Sequence, residues 1–199
     1  YLILGFLFFF PIFVYVFLST GINNFAKLPV LTETVMDIEN IEGNITNVSF
    51  KNKISIVAFW GGDVKNKKSE ALNLNQKIYK RFYEFQDFQF VLLHDKSDNE
   101  AIEDLKSDLV SGVGTDLKNW NFISTTQSNI KMIFDSFKTN IDLDNSFSTP
   151  YVFIVDRNLS LRGRDDDEDI GMLFGFNSQS VAEINLSLIH ISEPTRLRR

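Results

Sequence analysis

Hydrophobic positions follow two regimes along the chain. Residues 1–24, YLILGFLFFFPIFVYVFLSTGINN, carry no charge and include about 18 nearly continuous apolar positions, close to the roughly 20 that span a bilayer. One transmembrane helix over residues 1–22 is expected, with Pro11 tolerated inside it. A cleaved signal peptide and a buried helix are the alternatives, but the run is long for a signal core and no small-x-small site follows closely. Residues 23–44 then read as a connector with Pro29 and several acidic positions. Beyond it, short apolar runs alternate with amphipathic stretches, the signature of a three-layer α/β domain over residues 45–185.

Within that domain a weak strand is expected over 45–50, and the β-branched run ISIVAFW at 54–60 predicts a buried central strand. Ala71, Leu74, Ile78, Phe82 and Phe85 recur at spacings of three and four, which predicts a helix over 66–85 packed on the sheet. A second buried strand follows at 88–93. Asp98 is placed to cap a helix whose face carries Ala101, Leu105 and Leu109. A short strand at 120–123 precedes a helix over 127–137 through Ile130, Ile133, Phe134 and Phe137. Pro150 leads a strand at 151–155, and Asn158-Leu159 turns it into 161–164 as an antiparallel hairpin.

Composition narrows the function. A formal net charge of -6 argues against nucleic acid, which requires a concentrated basic surface. The absence of cysteine excludes disulfides, thiolate metal sites and thiol nucleophiles, and leaves the compartment open. With no basic residue flanking the apolar run on its N-terminal side, charge does not set an orientation. The last fourteen residues, LSLIHISEPTRLRR, resemble translated read-through of a sequencing adaptor, so 186–199 are expected to be a non-native tail.

Candidate chemistry is sparse. Gly61-Gly62 beside Lys65, Lys67 and Lys68 offers an anion site at a helix start, although the spacing is not a P-loop and Asp63 is the expected N-cap. The acidic run at 165–169 lacks the alternation of a calcium loop and reads as a solvated loop. Arg162 or Arg164 could pair with it. His94 ends a strand without a partner for acid–base work and reads as structural. No catalytic residue, metal site or cofactor is expected.

The stretches ISIVAFWGGDV, WNFISTTQSNIKMIFDSF and STPYVFIVDRNLSLRGRDDD, in this order of strands and helices, resemble the Sco/SenC family of membrane-anchored, copper-linked oxidase assembly factors, within the thioredoxin-like superfamily. The resemblance implies a thioredoxin-like three-layer α/β/α domain preceded by one N-terminal transmembrane helix. It further implies that the family's two copper-binding cysteines fall at Asp63 and Lys67 and its histidine at Ser148. Copper(I) prefers soft ligands, and dithiol exchange needs a thiolate. Thr149-Pro150 resembles the thioredoxin cis-proline, an ordinary trans proline at a strand start being the alternative. Trp60, Gly61, Gly62, Asp63, Thr149, Pro150 and Tyr151 would then line a groove for an envelope protein or peptide. The expectation is a non-enzymatic, membrane-tethered binding or assembly protein in the bacterial inner membrane, the domain facing the periplasm as the resemblance implies. A structural envelope protein with a relic site and a thiol-independent enzyme are the competing readings.

Overall fold

The computed structural model describes residues 2–19, 28–113, 116–167 and 171–180. In chain order the strands are β1 (Val30–Thr32), β2 (Ile54–Gly61), β3 (Phe88–Asp95), β4 (Trp120–Thr125), β5 (Tyr151–Val155), β6 (Leu161–Arg162), β7 (Arg164–Asp167), β8 (Gly171–Leu173) and β9 (Phe176–Asn177). The helices are α1 (Leu2–Ser19), α2 (Lys68–Leu74), α3 (Lys80–Phe82), α4 (Asn99–Val113) and α5 (Gln127–Ser136). The main sheet runs β1-β6-β5-β2-β3-β4, with β9 also on β5, while β7 and β8 form a separate hairpin.

All eight residues of β2 are buried, as expected of a strand with neighbours on both sides and layers on both faces. It pairs parallel with β3 and antiparallel with β5. Ile54, Ile56, Ala58 and Trp60 pack with residues of α2 and α4 in one core, while Val57 and Phe59 pack with α5 in the other. In the second core Phe59 meets Phe134, Phe137 and Phe153 edge-on, with centroids at 5.1, 5.3 and 5.7 Å. This is the arrangement that the aromatic quadrupole favours. The two helical layers on a mixed sheet are the expected α/β/α architecture.

The expected helix over 66–85 changes geometry along its length. A 3-10 turn (Val64–Lys67) leads into α2, a π-helical segment (Asn75–Tyr79) follows, and α3 completes it. Buried Asn75 donates from Nδ2 to Leu109 O at 3.2 Å, tying that segment to α4.

Three expectations need correction. The stretch taken as a connector, 23–44, belongs in part to the domain: β1 pairs with β6, and Val35, Ile38 and Ile41 lie in the second core. No strand forms over 45–50, and Ile45 is 93% exposed. Side chains offer the backbone other partners there. Asn44 Nδ2 donates to Ile38 O and Val48 O, both at 2.7 Å, and Asp37 Oδ1 accepts from Phe50 N at 2.9 Å. Asp98 is not the cap expected for α4, because its carboxylate is drawn to a different element, as described below.

Helix α1 has 18 residues and contains Pro11. At about 1.5 Å per residue its described length is roughly 27 Å. Among the described residues no helix is long and apolar enough to cross a membrane. Residues 1 and 20–22 of the expected span, residues 181–185 at the domain's end and the tail 186–199 lie outside the described residues.

Candidate functional site

The site is built where β2 ends. Gly61 turns the chain at φ +49°, the left-handed region that favours glycine. A Cβ there would lie 1.9 Å from Ser146 O and 2.6 Å from Phe147 C. The segment before β5 therefore sits directly on the turn. Gly62 N donates to Ser146 O at 2.8 Å and Thr149 N to Phe59 O at 2.9 Å. Asp144 shapes this segment: its Oδ1 accepts from Ser146 N and Ser148 N at 2.8 and 2.9 Å. Among the described residues no peptide bond is cis, so Thr149–Pro150 is trans, the alternative left open by the sequence.

The expected groove residues are not all brought to one surface. Trp60 is fully buried and Thr149 is 1% exposed. Gly61 is buried as well. Trp60 belongs to the core under α2 and α4, whereas Tyr151 packs against the opposite core. Strand parity puts the two rings on opposite faces of the sheet, so they cannot line one groove. Gly62 is exposed, and Asp63, Pro150 and Tyr151 are partly exposed; these four make the accessible rim.

Beneath the rim lies a charged cluster that sequence reasoning missed. Lys67 and Glu70 are 6% and 2% exposed. Lys67 Nζ lies 3.1 Å from Glu70 Oε1 and 3.9 Å from Asp63 Oδ2. Gln179 Nε2 donates to Glu70 Oε1 at 2.9 Å, and the hydroxyl of fully buried Ser178 lies 2.7 Å from Glu70 Oε2. The positions matched to the two thiols thus carry a carboxylate and an ammonium, three residues from a second carboxylate. Lysines and glutamates at i,i+3 are usually solvated pairs, and nothing in the local sequence announces burial under residues more than a hundred positions away.

The remaining candidates resolve in the same geometry. The anion site proposed at the start of the helix is filled from within, since Asp98 Oδ2 accepts from Val64 N at 2.9 Å. Asp63 makes no side-chain cap. Ser148, matched to the histidine, is buried, and its Oγ has no hydrogen-bond partner. Asp63, Lys67 and Ser148 offer a hard oxygen, a cation and a hydroxyl, a donor set that does not fit copper(I). Among the described residues no group of three or more His, Asp or Glu could hold a metal ion. Arg162 Nε and an Nη pair with Asp156 Oδ2 at 2.7 and 2.6 Å, away from the acidic run.

His94 lies beside the turn, in register with Gly61 across the β2–β3 pair, and is 2% exposed. Its Nδ1–H donates to Asp95 O at 3.0 Å, and burial holds its pKa below the ordinary imidazole value. A depressed folded-state value contributes stability above the unfolded value of about 6.5, and that stability is lost as pH falls below it. Melting temperature is expected to drop as pH is lowered from 7 to 5, and a His94→Gln variant to show a shallower drop. Equal slopes for the two proteins would show that His94 does not drive the acid loss.

No protein-family model matches the sequence, and no curated protein sequence does. Among solved structures the chain is similar to a SCO1/SenC family lipoprotein from Bacillus anthracis str. Ames, with a TM-score of 0.53 and 17% identity, covering 82% of this chain and 97% of that one. It is similar to BsSco, a member of the Sco family of cytochrome c oxidase assembly proteins, with a TM-score of 0.53 and 14% identity over 83% of this chain and 97% of that one. A yeast mitochondrial 1-Cys peroxiredoxin matches with a TM-score of 0.51 and 15% identity, over 85% and 77% of the two chains. At such identities the likeness is one of fold. The chain has a thioredoxin-like α/β fold, with Sco/SenC proteins among its structural neighbours and no thiol in its 199 residues.

Proposed function

We propose that this protein is a membrane-tethered, redox-inactive binding or assembly factor of the cell envelope, related in role to the Sco/SenC proteins and linked to respiratory oxidase maturation. The observation that carries the reading is the Asp63–Lys67–Glu70 cluster, buried at Lys67 and Glu70 and reaching the rim at Asp63, at positions to which the sequence resemblance assigns the family's thiols. Fixed charge stands in place of exchange chemistry, and exposed Gly62 leaves accessible surface at the turn for a partner. The apolar sequence of residues 1–22 supplies the tether, placed in the inner membrane with the domain on the periplasmic side.

Capture from native membranes tests the binding reading. A Cβ at Gly62 would have only Ser146 O, 3.9 Å away, within reach, so a side chain added there points into open space. Gly62→Arg should leave circular dichroism unchanged and lower recovery of crosslinked membrane proteins about tenfold, the loss expected when one central contact of an interface is blocked. Undiminished capture would place binding elsewhere and make the turn a relic. Release of the full chain into the supernatant on carbonate extraction would remove the tether from the reading.

A further inference from the structure

The chain itself occupies the edge beside Pro150. Asn177 pairs with Tyr151 at the start of β5, and Ser178 N donates to Pro150 O at 2.9 Å. The Ser178 hydroxyl lies 2.6 Å from that same carbonyl and 2.7 Å from Glu70 Oε2, with a single hydrogen for the two acceptors. Gln179 adds its bond to Glu70 Oε1, and its own backbone N donates to Asn177 Oδ1 at 2.9 Å. Phe176, one residue before Asn177, is 1% exposed and fixes the segment's root in the core under α2 and α4.

We propose that residues 177–180 are a strap that fills the docking edge of this domain, and that a partner binds by putting an extended segment in the strap's place. The inference rests on the binding role proposed above. Past Phe176 the seam joins polar groups: a backbone carbonyl, a carboxylate and its paired ammonium. An apolar seam loses its stabilisation when opened to water, whereas these charges regain hydration, so opening is less costly here than at Phe176. The replacement segment needs the strap's chemistry, namely a backbone N–H for Pro150 O and a hydroxyl or amide for Glu70. Lys67 stays paired with Glu70 in both arrangements, so no buried charge is left alone when the strap departs.

The test uses the full chain and a variant carrying Ser178→Ala with Gln179→Ala, which removes both strap bonds to Glu70 and leaves Phe176 and the Lys67–Glu70 pair intact. Amide hydrogen exchange at position 178 should accelerate about tenfold or more in the variant, in keeping with the loss of two bonds to a charged acceptor. A fluorescent peptide of residues 175–180, GFNSQS, should bind the variant at least about tenfold more tightly than the parent, since the competing strap is weakened by that factor. Glu70→Gln, which keeps the side chain's shape, should also accelerate exchange. Unchanged exchange at position 178 in both variants would overturn the strap, and faster exchange without tighter peptide binding would overturn the docking edge. Neither readout depends on capture of a membrane partner, so failure of the strap and failure of the proposed function are told apart.

Discussion

Lys67→Ala is expected to destabilise the domain by about 3–5 kcal/mol, the cost of removing one member of a buried ion pair and leaving the other uncompensated. Glu70 would retain Ser178 and Gln179 as partners but lose the one cation close to it among the described residues, at 2% exposure. The double variant Lys67→Met with Glu70→Met should recover most of that loss, because a buried pair and an apolar pair of similar volume often have comparable stability. Urea unfolding of the parent, Lys67→Met, Glu70→Met and the double variant closes the cycle. A single-variant cost under about 1 kcal/mol would place the pair among exposed bridges, which are worth that little.

Gly61→Ala and Gly62→Ala are neighbouring changes with opposite expected outcomes. At Gly61 the added methyl meets backbone, not a side chain that could swing away, and the φ of +49° adds strain for any L residue. The segment 146–149 must move off the turn, breaking Gly62 N to Ser146 O and Thr149 N to Phe59 O. The combined cost is expected to exceed about 3 kcal/mol, in the range reserved for core clashes and broken networks. At Gly62 the nearest atom is 3.9 Å away, and the change should fall within about 0.5 kcal/mol. Thermal unfolding of the two variants measures the contrast, and similar melting temperatures would mean that the two backbones are not in contact.

Long apolar and periodic segments were legible because burial imposes a pattern on them. The run at 54–60 became β2, and the four apolar positions Ile130, Ile133, Phe134 and Phe137 lie along one face at α5. Strands β1, β8 and β9, two or three residues each, have no room for an alternation to show. Asp98 was misassigned since an acidic residue ahead of a helical stripe is the usual cap, while its actual acceptor role at Val64 depends on two helix starts meeting in space. Trp60 shares parity with Ile56 and Ala58, so its face relative to that strand was readable; its relation to Tyr151 depends on the β2–β5 register, which lies between segments and not within either. The candidate site was legible as a turn with missing ligands, and its charged interior was not, because Ser178 and Gln179 reach Glu70 across 108 and 109 positions.

The pairing of β1 with β6 has a consequence for synthesis. The Ser160 hydroxyl that donates to Glu33 O lies 127 positions further along the chain, and the partner strand of β1 begins one residue beyond it. At roughly 5–20 residues per second, a ribosome needs roughly 6 to 25 s to deliver that partner after Glu33 has been made. Throughout that interval Val35, Ile38 and Ile41, destined for the second core, have no completed sheet to cover them. The nascent chain thus carries an apolar segment behind α1 until β6 has been made, a natural target for a chaperone that binds chains as they emerge.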